Sequence, residues 1–139
     1  MHRISAPRLG ASTWIAIAIA AGVPTAASPH DGGSQLELKT DFGPLTLHVN
    51  WDAGILEGDY PKYQGRVFGR LADSGRSMRG IWVQPKGDHE CKSERYGTTA
   101  WGHFVFTYGG RPGPGAQMAG SWGYCDEDPH RPWNGTVTD

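Results

Sequence analysis

The chain has 139 residues, with 13 basic and 14 acidic side chains and a formal charge of −1 at neutral pH. That balance excludes the strongly basic face that a nucleic-acid or anionic-membrane partner requires, and the length is that of a single domain. Its 21 glycines alone would be compatible with disorder, but six tryptophans and five tyrosines recur in an ordered pattern, which points to a glycine-rich β protein.

The first segment, 1–27, reads as a secretory signal. Arg3 and Arg8 precede an apolar run, Trp14–Val23, that has the length of a signal core and is too short to span a bilayer. Thr25 and Ala27 supply small residues ahead of a cut after Ala27, and no cysteine lies near that cut to carry a lipid. No later segment is long and apolar enough for a membrane helix. The predicted location is therefore periplasmic or extracellular, and an integral membrane protein is not expected. Residues 28–34 are predicted to be a disordered linker and 35–139 one domain. In an oxidising compartment the two cysteines, Cys91 and Cys125, predict one disulfide.

Strict alternation governs the rest, in chain order. In Gln35–Asp41, Leu36 and Leu38 face one way and Glu37 and Lys39 the other. Leu45, Leu47 and Val49 share a face in Gly43–Asn50, as do Leu56, Gly58 and Tyr60 in Leu56–Tyr60. Gly65–Ala72 sets Val67, Gly69 and Leu71 against Arg66, Phe68 and Arg70. Ser77–Gln84 sets Met78, Gly80 and Trp82 against Arg79, Ile81 and Val83. Trp101–Tyr108 is apolar on both faces, with Phe104, Phe106 and Tyr108 on one. Met118, Gly120, Trp122 and Tyr124 share a face in Gln117–Tyr124, and Trp133, Gly135 and Val137 share one in Trp133–Thr138. Period two is the strand signature, and no helical period is sustained.

Eight short strands joined by turn-rich pieces predict an all-β fold, an eight-stranded antiparallel up-and-down meander closed into a barrel with one disulfide. A glycine recurs two residues from a large side chain on the same face, as in "MRGIW" (Met78–Trp82) and "MAGSW" (Met118–Trp122). Glycine weakens a strand unless the space is needed. On the inner face of a small barrel it makes room for an aromatic from a neighbouring strand and lets the strand bend.

The series "DFGPLTL", "LEGDY", "GRVFGRL", "MRGIWVQ", "FVFTY", "MAGSW" and "WNGT" resembles small secreted bacterial β-barrel proteins that end in a W-N-G-T strand. More distantly it is similar to the avidin/streptavidin barrel. That resemblance implies a closed meander. Taken residue by residue, Tyr60 in "LEGDY" matches the tyrosine of the avidin-like G-T-Y strand. Thr40 stands where that family has an asparagine, and Pro44 where it has a turn serine. Proline has no side-chain donor, so one polar contact to a ureido ligand is lost and biotin binding is not implied.

Two sets of residues carry candidate chemistry. Asp88, His89, Glu90, Asp126, Glu127, Asp128 and His130 flank the two cysteines, and a bond between Cys91 and Cys125 would draw both segments to one rim. Such a rim would suit calcium through its oxygens or zinc through its histidines, although the EF-hand and H-E-x-x-H spacings are absent. The second set is aromatic: Tyr60, Trp82 and Trp122 as an inner wall, and Trp51 in a short connection. No G-x-S-x-G or other catalytic spacing occurs, so an enzyme is not expected. The expected function is a non-enzymatic barrel that binds a small molecule or a protein partner through its open end and loops. The alternatives are an envelope-associated structural protein with a packed core, and a secreted hydrolase inhibitor.

Overall fold

A computed structural model describes residues 33–109 and 112–139. The signal predicted over 1–27 and the first part of the predicted linker lie outside the described residues. The chain runs through β1 (Gly33–Thr40), β2 (Gly43–Asn50), β3 (Ile55–Tyr60), a 3-10 turn (Pro61–Tyr63), β4 (Gly65–Ala72), β5 (Ser77–Gln84), β6 (Ala100–Thr107), β7 (Gln117–Tyr124), β8 (Arg131–Pro132) and β9 (Gly135–Val137). Gly33 and Ser34, read from sequence as linker, pair with Asn50 and Val49 and so belong to β1.

From β1 to β7 each strand pairs antiparallel with the next. β7 then pairs with both β8 and β9 in one continuous register, and β9 closes the sheet on β1. β8 and β9 together form the eighth stave, so the fold is the closed eight-stranded antiparallel barrel that the alternation predicts. The last stave breaks at Trp133–Asn134 because the Asn134 side chain replaces its backbone. Its Oδ1 accepts the Gly120 N–H at 3.1 Å. The freed Asn134 backbone turns to the β1–β2 corner, donating to Asp41 Oδ2 at 2.9 Å and accepting the Asp41 N–H at 3.1 Å.

The inner face is the one alternation marks. Leu36, Leu38, Leu45, Leu47, Val49, Leu56, Val67, Met78, Phe104, Phe106, Met118 and Val137 form one buried cluster with Tyr60, Trp82 and Trp133. A second, smaller cluster lies on the outer face: Val83, Cys91 and Trp101, with Phe68, Ile81 and Cys125 packed against them. It exists because the β5–β6 connection, 85–99, folds back over β4 to β6 as a strap. Tyr96 stacks on Phe68 with centroids 4.1 Å apart, the Arg95 guanidinium lies 4.7 Å over the Trp101 ring, and Trp101 Nε1 donates to the Ser93 carbonyl at 2.8 Å. The Cys91–Cys125 disulfide, with Cα atoms 5.6 Å apart, ties the strap to the corner after β7. Apolar residues on both faces of β6 are thereby explained: one face fills the barrel and the other lies under the strap.

The repeated glycines divide: Gly120 leaves room for the Phe106 ring and the Trp133 carbonyl, whereas Gly58, Gly69 and Gly80 leave room chiefly for neighbouring backbone. Gly65 stands opposite Tyr60 in the β3–β4 ladder, and the phenol ring lies where a Gly65 side chain would be. Gly69 and Gly80 face each other across β4–β5, and a methyl on either would run into the neighbouring strand's backbone, so the sheet curls tightly there.

An up-and-down barrel places alternate connections at the same end. The connections after β1, β3, β5 and β7 share an upper end, and those after β2, β4 and β6 share a lower one. At the lower end Trp51 packs edge-on to the buried Tyr108, and its Nε1 donates to Ser34 Oγ at 2.6 Å.

Two stability outcomes follow. Gly65→Ala forces the Tyr60 ring out of place and is expected to cost about 2–3 kcal/mol, as overpacking does, read as a lower urea midpoint. Replacing Cys91 and Cys125 by serine releases a 34-residue closure. Loop-closure entropy puts the expected loss at about 3–4 kcal/mol, measured in the same way.

Candidate functional site: an aromatic cup at the upper end

The upper end of the barrel holds a cup of about 460 Å³. That is within the range of small-molecule sites, which run from about 300 to 1,000 Å³. Its floor is Trp133, only 2% exposed, whose ring meets Phe42, Tyr60, Phe104 and Phe106 at centroid distances of 5.7, 5.2, 6.1 and 5.1 Å. The strand break at Asn134 sits next to this floor, and Trp133 Nε1 donates to Thr40 Oγ1 at 3.1 Å, fixing the ring against β1. The wall is Tyr60, Trp82, Trp122 and Tyr124. Trp82 and Trp122 are perpendicular at 5.7 Å, and Trp122 and Tyr124 are perpendicular at 4.9 Å. Edge-to-face contacts of this kind are the favoured geometry for aromatic rings.

Polarity rises toward the mouth. Tyr60 is buried, and its Oη accepts a hydrogen bond from Gln84 Nε2 at 3.1 Å. Burial pushes its phenol well above the ordinary value of 10, only partly offset by Gln84. The lip is made by exposed Lys86, Asp88 and His89 from the start of the strap, with Tyr63 from the 3-10 turn. His89 packs on Tyr124 at 4.8 Å. The Arg131 guanidinium lies 4.9 Å over the Tyr124 ring and 5.3 Å over the Trp122 ring. Arg131 is itself held by Glu127. The Tyr124 N–H, donated to Glu127 at 2.7 Å, holds that carboxyl below its ordinary value, and Arg131 adds to the effect.

Of the aromatic residues singled out from sequence, Tyr60, Trp82 and Trp122 come together in the cup, whereas Trp51 covers the opposite end. The acidic and histidine residues around the cysteines do not converge. Asp88 and His89 line the cup, while Glu90 accepts from Thr99 Oγ1 at 2.9 Å. Asp126 lies 3.5 Å from His103 Nε2 and 4.0 Å from Arg95. His130 Nδ1 meets the Asp128 carbonyl at 2.9 Å. Among the described residues no group of three His, Cys, Asp or Glu side chains is placed to hold calcium or zinc. The disulfide brings two backbones together on the outer face, but the flanking side chains leave it in different directions.

Sequence reasoning missed Trp133 as the floor and Phe42, Tyr63, Gln84, Lys86 and Tyr124 as lining. One signal was available. In a meander, the parity of the connections puts 41–42, 61–64, 85–99 and 125–130 at one end, and their neighbours are these residues. No family model, curated protein or solved structure matches the chain, so the chemistry of the cup rests on its own geometry.

The buried phenol has a pH signature. The unfolded chain ionises Tyr60 near its ordinary value of 10, whereas the folded chain resists ionisation. The stabilisation is fully present below about pH 10 and is lost as pH rises above it. Tyr108, also raised by burial, acts in the same direction. Urea midpoints measured from pH 8 to pH 11 are expected to fall for the parent and to fall less steeply for Tyr60→Phe.

Proposed function

We propose that this chain is a secreted or periplasmic, non-enzymatic binding barrel that takes a small molecule into its upper end. The observation that carries the reading is the cup itself. It is open, floored by Trp133, walled by Tyr60, Trp82, Trp122 and Tyr124, and rimmed by polar Gln84, Lys86, Asp88 and His89. A concave, mostly aromatic site with a few polar groups is the usual form of a small-molecule site. Recognition fits it better than turnover. Its deepest polar groups are a phenol held neutral and a carboxamide, neither of which moves protons readily near neutral pH. A compartment outside the cytosol is supported by the disulfide and by the signal-like character of 1–27.

Native mass spectrometry of the oxidised protein, recovered from periplasm or medium without denaturation, tests the reading. A population heavier by the mass of one small molecule, lost on acid unfolding, is the expected result. A bare mass from every preparation would count against it and favour a structural role for the packed lower barrel.

A further inference from the structure

Resting on that reading, we infer that the cup is built for a compact, uncharged, planar-ring compound that carries a hydrogen-bond acceptor. Three features define the class. Depth comes first. Below Trp133 the barrel is filled by Leu45, Met78, Phe104, Phe106 and Met118, each at most 1% exposed. A long acyl chain therefore has nowhere to go, and the occupant must be short.

Charge comes second. No charged side chain lines the floor or wall: Arg131, which lies against the Tyr124 and Trp122 rings, is outside the lining and engaged by Glu127, and Lys86, Asp88 and His89 stand exposed at the lip. A charge carried to the floor would be desolvated without a partner, which is prohibitive. A charged substituent belongs at the mouth. Rings of π-electron density on all sides favour a planar ring over an aliphatic body of the same size.

An unused donor comes third. The indoles of Trp51, Trp82, Trp101 and Trp133 each donate to a protein oxygen. Trp122 Nε1 has no partner among the described residues, but like Tyr108 Oη at the lower end it is closed off from solvent and so does not face the cup. Tyr60 Oη accepts from Gln84, but its own proton has only the Val83 carbonyl at 3.5 Å, long for a hydroxyl donor. The Tyr60 hydroxyl is therefore the donor of the aromatic wall that lacks a good acceptor. A buried donor left unmade is costly, so a carbonyl oxygen or ring nitrogen on the occupant is the complementary group.

The test uses the full oxidised protein and four probes: coumarin and lumichrome, which are uncharged planar rings with carbonyl acceptors; naphthalene, a ring without an acceptor; and dodecanoate, a chain. Binding is read by calorimetric titration and by quenching of tryptophan fluorescence. Coumarin and lumichrome are expected to bind one per barrel, naphthalene about fivefold to tenfold more weakly than coumarin, and dodecanoate not at all. Tyr60→Phe is expected to weaken coumarin by a similar factor while the protein still unfolds cooperatively. The naphthalene comparison supplies the same information should that variant not fold.

Equal affinity for coumarin and naphthalene, or no change in Tyr60→Phe, overturns the acceptor requirement. Tight dodecanoate binding with both ring carbonyls rejected overturns the ring class and leaves the small-molecule reading standing. No binding of any probe, together with a bare native mass, overturns both.

Discussion

Width inside the barrel is the constraint on which everything else depends. Eight staves enclose a space that side chains just fill. This chain sends Tyr60, Trp82 and Trp133 into it, all nearly fully buried, together with Phe104 and Phe106. Some of these rings fit because the opposing strand gives up its side chain, as Gly65 does beneath Tyr60, Gly102 beside the Trp82 indole and Gly120 beside Phe106. Part of the glycine content is thus the counterpart of the aromatic content, and another part, Gly58, Gly69 and Gly80, lets neighbouring backbones approach. The lower half uses the width for aliphatic and phenylalanine packing. The upper half, above Trp133, leaves part of it open.

Trp133 divides the two halves. Its ring touches the packed Phe104 and Phe106 below and Phe42 and Tyr60 above. The local sequence that places it is unusual for a strand. Asn134 interrupts the stave with its own side chain and anchors the interruption to Asp41 on the neighbouring corner. The strap has the complementary role at the mouth. Its far portion is pinned outside the barrel by the disulfide and by the Tyr96–Phe68 and Arg95–Trp101 contacts, and its first residues, Lys86 to His89, form the lip. Stability on the outer face and the shape of the opening thus share one loop.

Much of this is legible in the sequence, because alternation is a local property. The inward sets Leu45, Leu47, Val49 and Phe104, Phe106, Tyr108 are each visible within eight residues, and so is the number of staves. The outer burial of Trp101 and Val83 is not, since it depends on a 15-residue connection folding back over the outer face of β4 to β6. The acidic residues near Cys91 and Cys125 lie apart for a related reason. Cysteine pairing fixes the distance between two Cα atoms and leaves the direction of the neighbouring side chains free, so Asp88 reaches the cup lip while Asp126 turns to His103. Trp51 and Trp122 look alike as strand-end aromatics. Only the end at which each lies separates a residue that covers the base from one that walls the cup.

We propose that the lower end of the closed barrel is covered and that the upper end receives a ligand. Indole N–H resonances followed by two-dimensional NMR during titration with coumarin address it most directly, because the described tryptophans are distributed over both ends and the outer face. Expected is a large, saturable shift of the Trp122 indole, smaller shifts for Trp82 and Trp133, and no movement of Trp51 or Trp101. Shifts centred on Trp51 or Trp101, or an unchanged spectrum at saturating probe, would contradict it.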